Sequence, residues 1–164
     1  MEIPMPKVAQ SPSDLLSKDQ ILALSGLEFM QGILNGSLPA PPIATTMGYR
    51  LHHVAKGTIT FRGSPEFNFT NPMGTVHGGW YGTLLDSAMA CAVMTKVPRG
   101  SIYTTLEYKV NMLRTIPLGM SIDCTGTVSH AGRSTGVANG EIRGTKDGKL
   151  YATGSTTCII MKVK

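Results

Sequence analysis

Between Asn71 and Asp86 the chain reads Asn-Pro-Met-Gly-Thr-Val-His-Gly-Gly-Trp-Tyr-Gly-Thr-Leu-Leu-Asp. A histidine and two glycines open an apolar run, and one carboxylate stands inside that run. The first residues of a helix carry N–H groups with no partner in the helix, and glycines let a ligand approach them. With the helix dipole behind them, such donors stabilise negative charge growing on a carbonyl oxygen. Asp86 lies among Trp80, Tyr81, Leu84, Leu85, Ala88 and Met89, where an acid is costly to bury without a task. It would serve as nucleophile or as the base that activates water. With an ordinary pKa of ~3.9, a carboxylate is a weak base for attack on an amide. A thioester, a better electrophile, suits it more.

The spacing adds a constraint. Gly78 and Asp86 are eight residues apart, so on one helix they are separated by ~12 Å. Side chains lean toward the helix N-terminus and recover only part of that gap. A reacting carbonyl must lie about 3 Å from both groups. Two subunits, each lending its Asp86 to the other's helix start, meet the requirement more readily than one. His77 has two readings, acid–base catalyst or residue that orients the loop before the helix, and the second is preferred. Asn71 is either a turn residue before Pro72 or an amide aimed into the site. His52-His53 reads as a strand-end turn, and with no carboxylate cluster to complete a ligand set no metal site is expected.

The apolar pattern from Val76 to about Lys96 is helical and nearly all-round, as a buried helix requires. Gly79, Gly82, Asp86, Ala90 and Val93 form a stripe of mostly small residues on it. Upstream, Ile21, Leu24, Leu27, Met30, Ile33 and Leu34 recur at helical spacing and predict one helix over 13–36, capped by Ser13 or Ser17 and ended by Gly36 and Pro39. Residues 1–12 read as a loose lead-in. Strands are expected at 43–51 and 54–62 with a turn near His52-His53, then at 103–114, 119–130, 134–144 and 150–163. In the third, Leu106, Tyr108, Val110 and Met112 alternate with Thr105, Glu107, Lys109 and Asn111, which puts Thr105 on the polar face. Strands that follow one another without helices imply an antiparallel sheet. A sheet curled around the central helix buries that helix on most sides.

Composition narrows the class. The chain has 164 residues, 41% of them hydrophobic, and 19 glycines and 10 prolines that read as turns, so it is globular and large enough for one core. The net charge of +5 comes without a Lys/Arg run, which gives little support to a nucleic-acid face and leaves room for a small polyanion. Cys91, Cys124 and Cys158 are far apart, without metal-ligand or redox spacing, and read as reduced core thiols. No stretch approaches the ~20 apolar residues of a membrane span and no signal pattern opens the chain, so a cytoplasmic protein off the membrane is expected.

On the residues Asn71…Gly74-Thr-Val-His77-Gly78-Gly79, Asp86 nine residues after the histidine, the strand Thr105–Arg114 and the turn Gly132-Arg133-Ser134-Thr135, the chain resembles the hotdog-fold acyl-CoA thioesterases, in particular the PaaI-like branch. The resemblance covers roughly residues 43–163 and implies an α+β hotdog fold, with residues 1–42 as an added tail and helix. It implies that the Gly78 N–H polarises the thioester carbonyl, that Asp86 is nucleophile or general base, that Asn71 holds the carbonyl or the attacking water, and that His77 orders the loop. A hydroxyl at Thr105, with Thr104 the alternative, would position water. Coenzyme A, part of the substrate rather than a cofactor, would run near Gly79, Gly132, Arg133 and Ser134. The site would be shared across a homodimer whose sheets join edge to edge, with dimers often pairing into tetramers. The alternatives, a non-catalytic acyl-CoA-binding module and a hydratase or dehydratase of the same fold, rank lower: Asp86 is kept, no helix-turn-helix pair precedes the first strand, and the dehydratase-like His-Phe-Pro loop is absent.

Overall fold

The computed structural model describes residues 7–163. Its centre is helix α4, Gly78–Met94, with Leu84, Leu85, Ala88, Met89, Ala92 and Val93 fully buried. Around it curls one antiparallel sheet of six strands: β1 Tyr49–Ala55, β2 Thr58–Gly63, β3 Ser101–Met112, β4 Ile122–Ala131, β5 Thr135–Gly144 and β6 Leu150–Lys162. The order across the sheet is β1-β2-β4-β5-β6-β3. All neighbours run antiparallel, so β1 and β3 are the two edges. This is the sheet-wrapped helix of the hotdog fold, as expected.

Not every glycine makes a turn. On β4, a Cβ at Gly126 would lie 2.2 Å from the Ala88 carbonyl oxygen; at Gly136 on β5 it would lie 2.4 Å from Val93. These positions press the helix against the sheet, and only the absence of a side chain permits that approach.

Three local expectations change. The N-terminal helix is two: α1, Lys18–Leu22, and α2, Gly26–Leu34. Ser17 caps α1, and the break at Ser25 is a second capping box, Ser25 with Glu28, which satisfies the free N–H groups of a new helix start. The predicted strand over 43–51 begins only at Tyr49, because Pro42–Thr46 forms a short helix, α3, with proline at its first position, where the missing N–H is harmless. The turn falls at Lys56-Gly57, with Gly57 at φ +85°, and not at His52-His53. That pair lies within β1, where the register shifts between Leu51 and His53.

Of the lead-in, residues 1–6 lie outside the described residues. Residues 7–9 are tied down: Ala40 donates to the Lys7 carbonyl at 2.7 Å and Ala9 to the Ala40 carbonyl at 3.0 Å. No helix among the described residues is long and apolar enough to cross a membrane, and none of their side chains cluster as a metal ligand set.

Candidate active site

The helix start is built by its own loop. Asn71 turns the chain: its N–H donates to the Thr75 carbonyl at 2.8 Å, its Nδ2 donates to Thr75 Oγ1 at 2.8 Å, and its Oδ1 accepts from the N–H of Met73 at 2.9 Å. Of the two readings of Asn71, these bonds are those of the turn residue. His77 is the N-cap of α4. Its N–H donates to the Phe69 carbonyl at 2.8 Å, and its Nδ1 accepts from the Gly79 N–H at 2.9 Å. An accepting Nδ1 leaves the ring proton on Nε2. With Gly79 capped by His77 and the Trp80 N–H donating to the His77 carbonyl, the Gly78 N–H has no acceptor among the described residues. It stands at the positive end of a 17-residue helix, the setting in which an N–H stabilises an oxyanion.

Asp86 sits two turns further on, half-buried. Its Oδ1 accepts a hydrogen bond from Thr105 Oγ1 at 3.0 Å. Burial pushes the Asp86 carboxyl above its ordinary pKa, and the Thr105 bond pulls it back in part. A carboxylate so placed is a better proton acceptor near neutral pH than an exposed one.

Thr105 reaches Asp86 through a feature that strict alternation hides. Opposite β6, Thr105 pairs with Cys158 and Glu107 pairs with the next residue back, Thr157, so Leu106 is the extra residue of a β-bulge. The bulge changes the phase of the strand. Thr105 lies against Asp86 on the near side of it; Tyr108 and Met112 face the helix on the far side, while Leu106 is 61% exposed. The expected polar-face placement of Thr105 and inward placement of Leu106 are therefore both corrected, and Thr105 rather than Thr104 meets the acid.

Strand β3 in fact runs antiparallel along α4, residue against residue. Met112 covers Gly78, with Sδ 3.2 Å from where a Cβ would stand. The Tyr108 ring covers Gly82 at 3.5 Å, and Thr105 covers Asp86. Within one chain, the Tyr108 side chain thus lies between the helix start and the acid. The sequence signal for it was present, an aromatic on the inward-alternating set, but nothing tied it to Gly82.

The Gly132-Arg133-Ser134 turn joins β4 to β5, closed by the Gly132 N–H donating to the Thr135 carbonyl at 2.8 Å. It is exposed, and Arg133 has no ion-pair partner among the described residues. Gly136, two residues on, packs against Val93, so the turn sits by the far end of α4, 15 residues or ~22 Å from Gly78. The structure brings Gly78, Gly79 and His77 together and Asp86 and Thr105 together, and it brings neither group to the 132–134 turn. The cysteines are not poised to react: burial pushes the Cys91 thiol up to about 12 and the Cys124 thiol higher still.

A free helix-start donor and a half-buried acid thus stand on the central helix of a hotdog fold. The chain is similar in sequence and fold to known proteins. Residues 73–151 match the thioesterase superfamily. The mouse acyl-coenzyme A thioesterase 13 is 29% identical over 92 residues, which are 56% of this chain and 65% of that protein's length. A putative thioesterase from Ralstonia eutropha JMP134, related to phenylacetic acid degradation, superposes with a TM-score of 0.72 at 29% identity, over 80% of this chain and 98% of that one. A mutant of the phenylacetic acid degradation protein PaaI from Thermus thermophilus superposes with a TM-score of 0.66 at 25% identity, over 72% and 97%. Over residues 73–151 the chain is thus similar to the thioesterase superfamily, and its fold is that of hotdog, PaaI-like proteins; it spans just under two thirds of the mouse relative's length.

Proposed function

We propose that the chain hydrolyses an acyl-CoA thioester at sites shared between two copies of itself. The observation that carries this reading is the division of labour along α4. The unpaired Gly78 N–H and the Asp86–Thr105 pair are separated by ~12 Å of helix, with Tyr108 over Gly82 between them. A carbonyl resting on one copy's Gly78 N–H meets the Asp86 of the other. Asp86 takes a proton from water, the resulting hydroxide attacks the carbonyl carbon, and the C–S bond breaks as the oxyanion collapses. The proton then passes to the departing thiolate, giving free acid and coenzyme A. His77 keeps the helix start in shape through the Gly79 bond, and Asn71 shapes the loop before it.

Strand β3 supports the pairing. Its outer edge is unpaired over 12 residues and Leu106, Tyr108 and Met112 are exposed beside it, an edge of the kind that pairs with another strand. The exposed Arg133, by the far end of α4, suits a coenzyme A phosphate. A thiol-release assay over phenylacetyl-, benzoyl- and straight-chain acyl-CoAs tests the reading. Turnover by the unaltered protein is expected, with a drop of about 10²–10⁴-fold in Asp86→Asn, the range for losing a general base, and with dimerisation intact. Near-normal turnover by Asp86→Asn overturns the assigned role.

A further inference from the structure

A cavity of about 290 Å³ lies where the curled sheet leaves one face of α4 uncovered. Its floor is the α4 face of Ser87, Cys91 and Met94, with Tyr103 of β3 and Tyr49, Leu51 and Phe61 of β1 and β2 as walls. Its roof is the N-terminal segment: Phe29, Met30 and Ile33 of α2, the Pro39–Pro41 link, and Ile43 and Ala44 of α3. That roof lies wholly before residue 73, where the family match begins.

The roof is fixed in place. The Gly26 N–H donates to the Val97 carbonyl at 2.9 Å, and Glu28 pairs with Arg99. A Cβ on Gly26 would fall 1.7 Å from the Met94 carbonyl oxygen, so only glycine lets α2 settle so closely on the end of α4.

Two neighbours tie the cavity to the site. Ser87 follows Asp86 on the helix, and Tyr103 stands two residues before Thr105 on β3. The Tyr49 and Ser87 hydroxyls hydrogen-bond each other at 2.8 Å. Other lining side chains are mostly aliphatic, aromatic or methionine.

We propose that this cavity, resting on the thioesterase reading above, receives the acyl group of the substrate, and that the N-terminal helices set its size limit. The occupant is an uncharged, wholly apolar acyl tail. At roughly 30 Å³ per heavy atom, the share of a water molecule in the liquid, the space takes about ten such atoms. Coenzyme A stays outside. A hydroxyl or charge carried past the exposed Arg50 and Thr45 at the mouth meets this mostly apolar lining and is disfavoured.

The test is a chain-length profile of kcat/KM over acetyl- to tetradecanoyl-CoA, with phenylacetyl- and 4-hydroxyphenylacetyl-CoA as the aryl arm. In the unaltered protein kcat/KM is expected to rise up to about fourfold per methylene and to stop rising near ten carbons. Ala44→Phe, which fills the roof side, moves that turning point to shorter chains; Phe29→Ala moves it to longer ones. The hydroxylated aryl substrate falls at least tenfold below phenylacetyl-CoA. A turning point unmoved by both folded variants, with hydrolysis intact, overturns the pocket and leaves the thioesterase reading standing. If no acyl-CoA is turned over, the thioesterase reading fails instead, and calorimetric binding decides the pocket. Tighter binding of decanoyl-CoA than acetyl-CoA, with the preference erased in Ala44→Phe, supports it; equal binding of the two overturns it.

Discussion

Subunit complementation offers the sharpest check on a site divided between two copies. One parent is Asp86→Asn, which removes the base. The other is Gly78→Pro, which removes the one N–H left free at the helix start. The first position of a helix tolerates proline, and His77 before it is extended, at φ −64° and ψ 139°, as a residue preceding proline should be. The nearest obstacle to a Cβ at Gly78 is the Met112 sulfur at 3.2 Å, the end of a flexible and half-exposed side chain. Each parent alone is expected to lose activity, about 10²–10⁴-fold for the base and about 10²–10³-fold for the donor. Co-expressed in equal amounts under separate tags, half of the dimers are mixed. If the donor comes from one copy and the acid from the other, each mixed dimer has one site with both defects and one with neither. Turnover should then return to about a quarter of that of the unaltered protein, and to about half in mixed dimers isolated by both tags. A site contained within one chain predicts no recovery, since every site then keeps one defect. Mixed dimers that form but show no activity above the parents refute the shared site.

Further outcomes follow from single groups. Because burial raises the Asp86 pKa and the Thr105 hydrogen bond lowers it, Thr105→Val should move the acid limb of the kcat/KM–pH profile to higher pH; an unmoved limb removes Thr105 from the tuning of the acid. The same raised pKa means that the folded chain holds the Asp86 proton more tightly than the unfolded one, so stability falls as pH rises through the folded pKa. Asp86→Asn should therefore melt higher than the unaltered protein at pH 7, and the difference should shrink toward and below the ordinary value of 3.8. Gly126→Ala drives a methyl into the α4 backbone, 2.2 Å from the Ala88 oxygen. Overpacking of this kind costs about 1–3 kcal/mol or more, roughly 2–12 °C in melting temperature for a chain of this size, and thermal denaturation that shows no loss would contradict the helix–sheet approach.

The helix-start motif and the acid were legible because both depend on local sequence. Glycines beside a histidine mark an accessible helix N-terminus wherever they occur, and an acid in an all-apolar helix is conspicuous against its neighbours. The antiparallel sheet was legible too, since four strands with turn residues between them admit few arrangements. The N-terminal helices were read as one because the apolar spacing from Ile21 to Leu34 continues through Ser25. Ser25 and Glu28 form a capping box there, and that signature competes with a periodic pattern at the same residues. Glycines were read as turns from composition alone, while Gly126 and Gly136 are needed within strands, where their role depends on a helix far away in sequence.

The bulge at Leu106 shows why part of the site lay beyond reach of pattern reading. Period-two alternation assigns every residue of a strand to a face from any one of them, so a single inserted residue reverses all assignments on one side of it. Reading from Tyr108, Val110 and Met112 places Thr105 outside; reading from Tyr103, which lines the cavity, places it inside. Both are right on their own side of Leu106. The bulge therefore lets one strand serve two partners on α4. Before it, Tyr103 and Thr105 face the cavity wall and the acid; after it, Tyr108 and Met112 cover the glycine face that leads back to the helix start. Without the extra residue, a strand that placed Tyr108 over Gly82 would turn the Thr105 hydroxyl away from Asp86 and put Leu106 beside it. The acid would then be left to burial alone, with its charge unsupported.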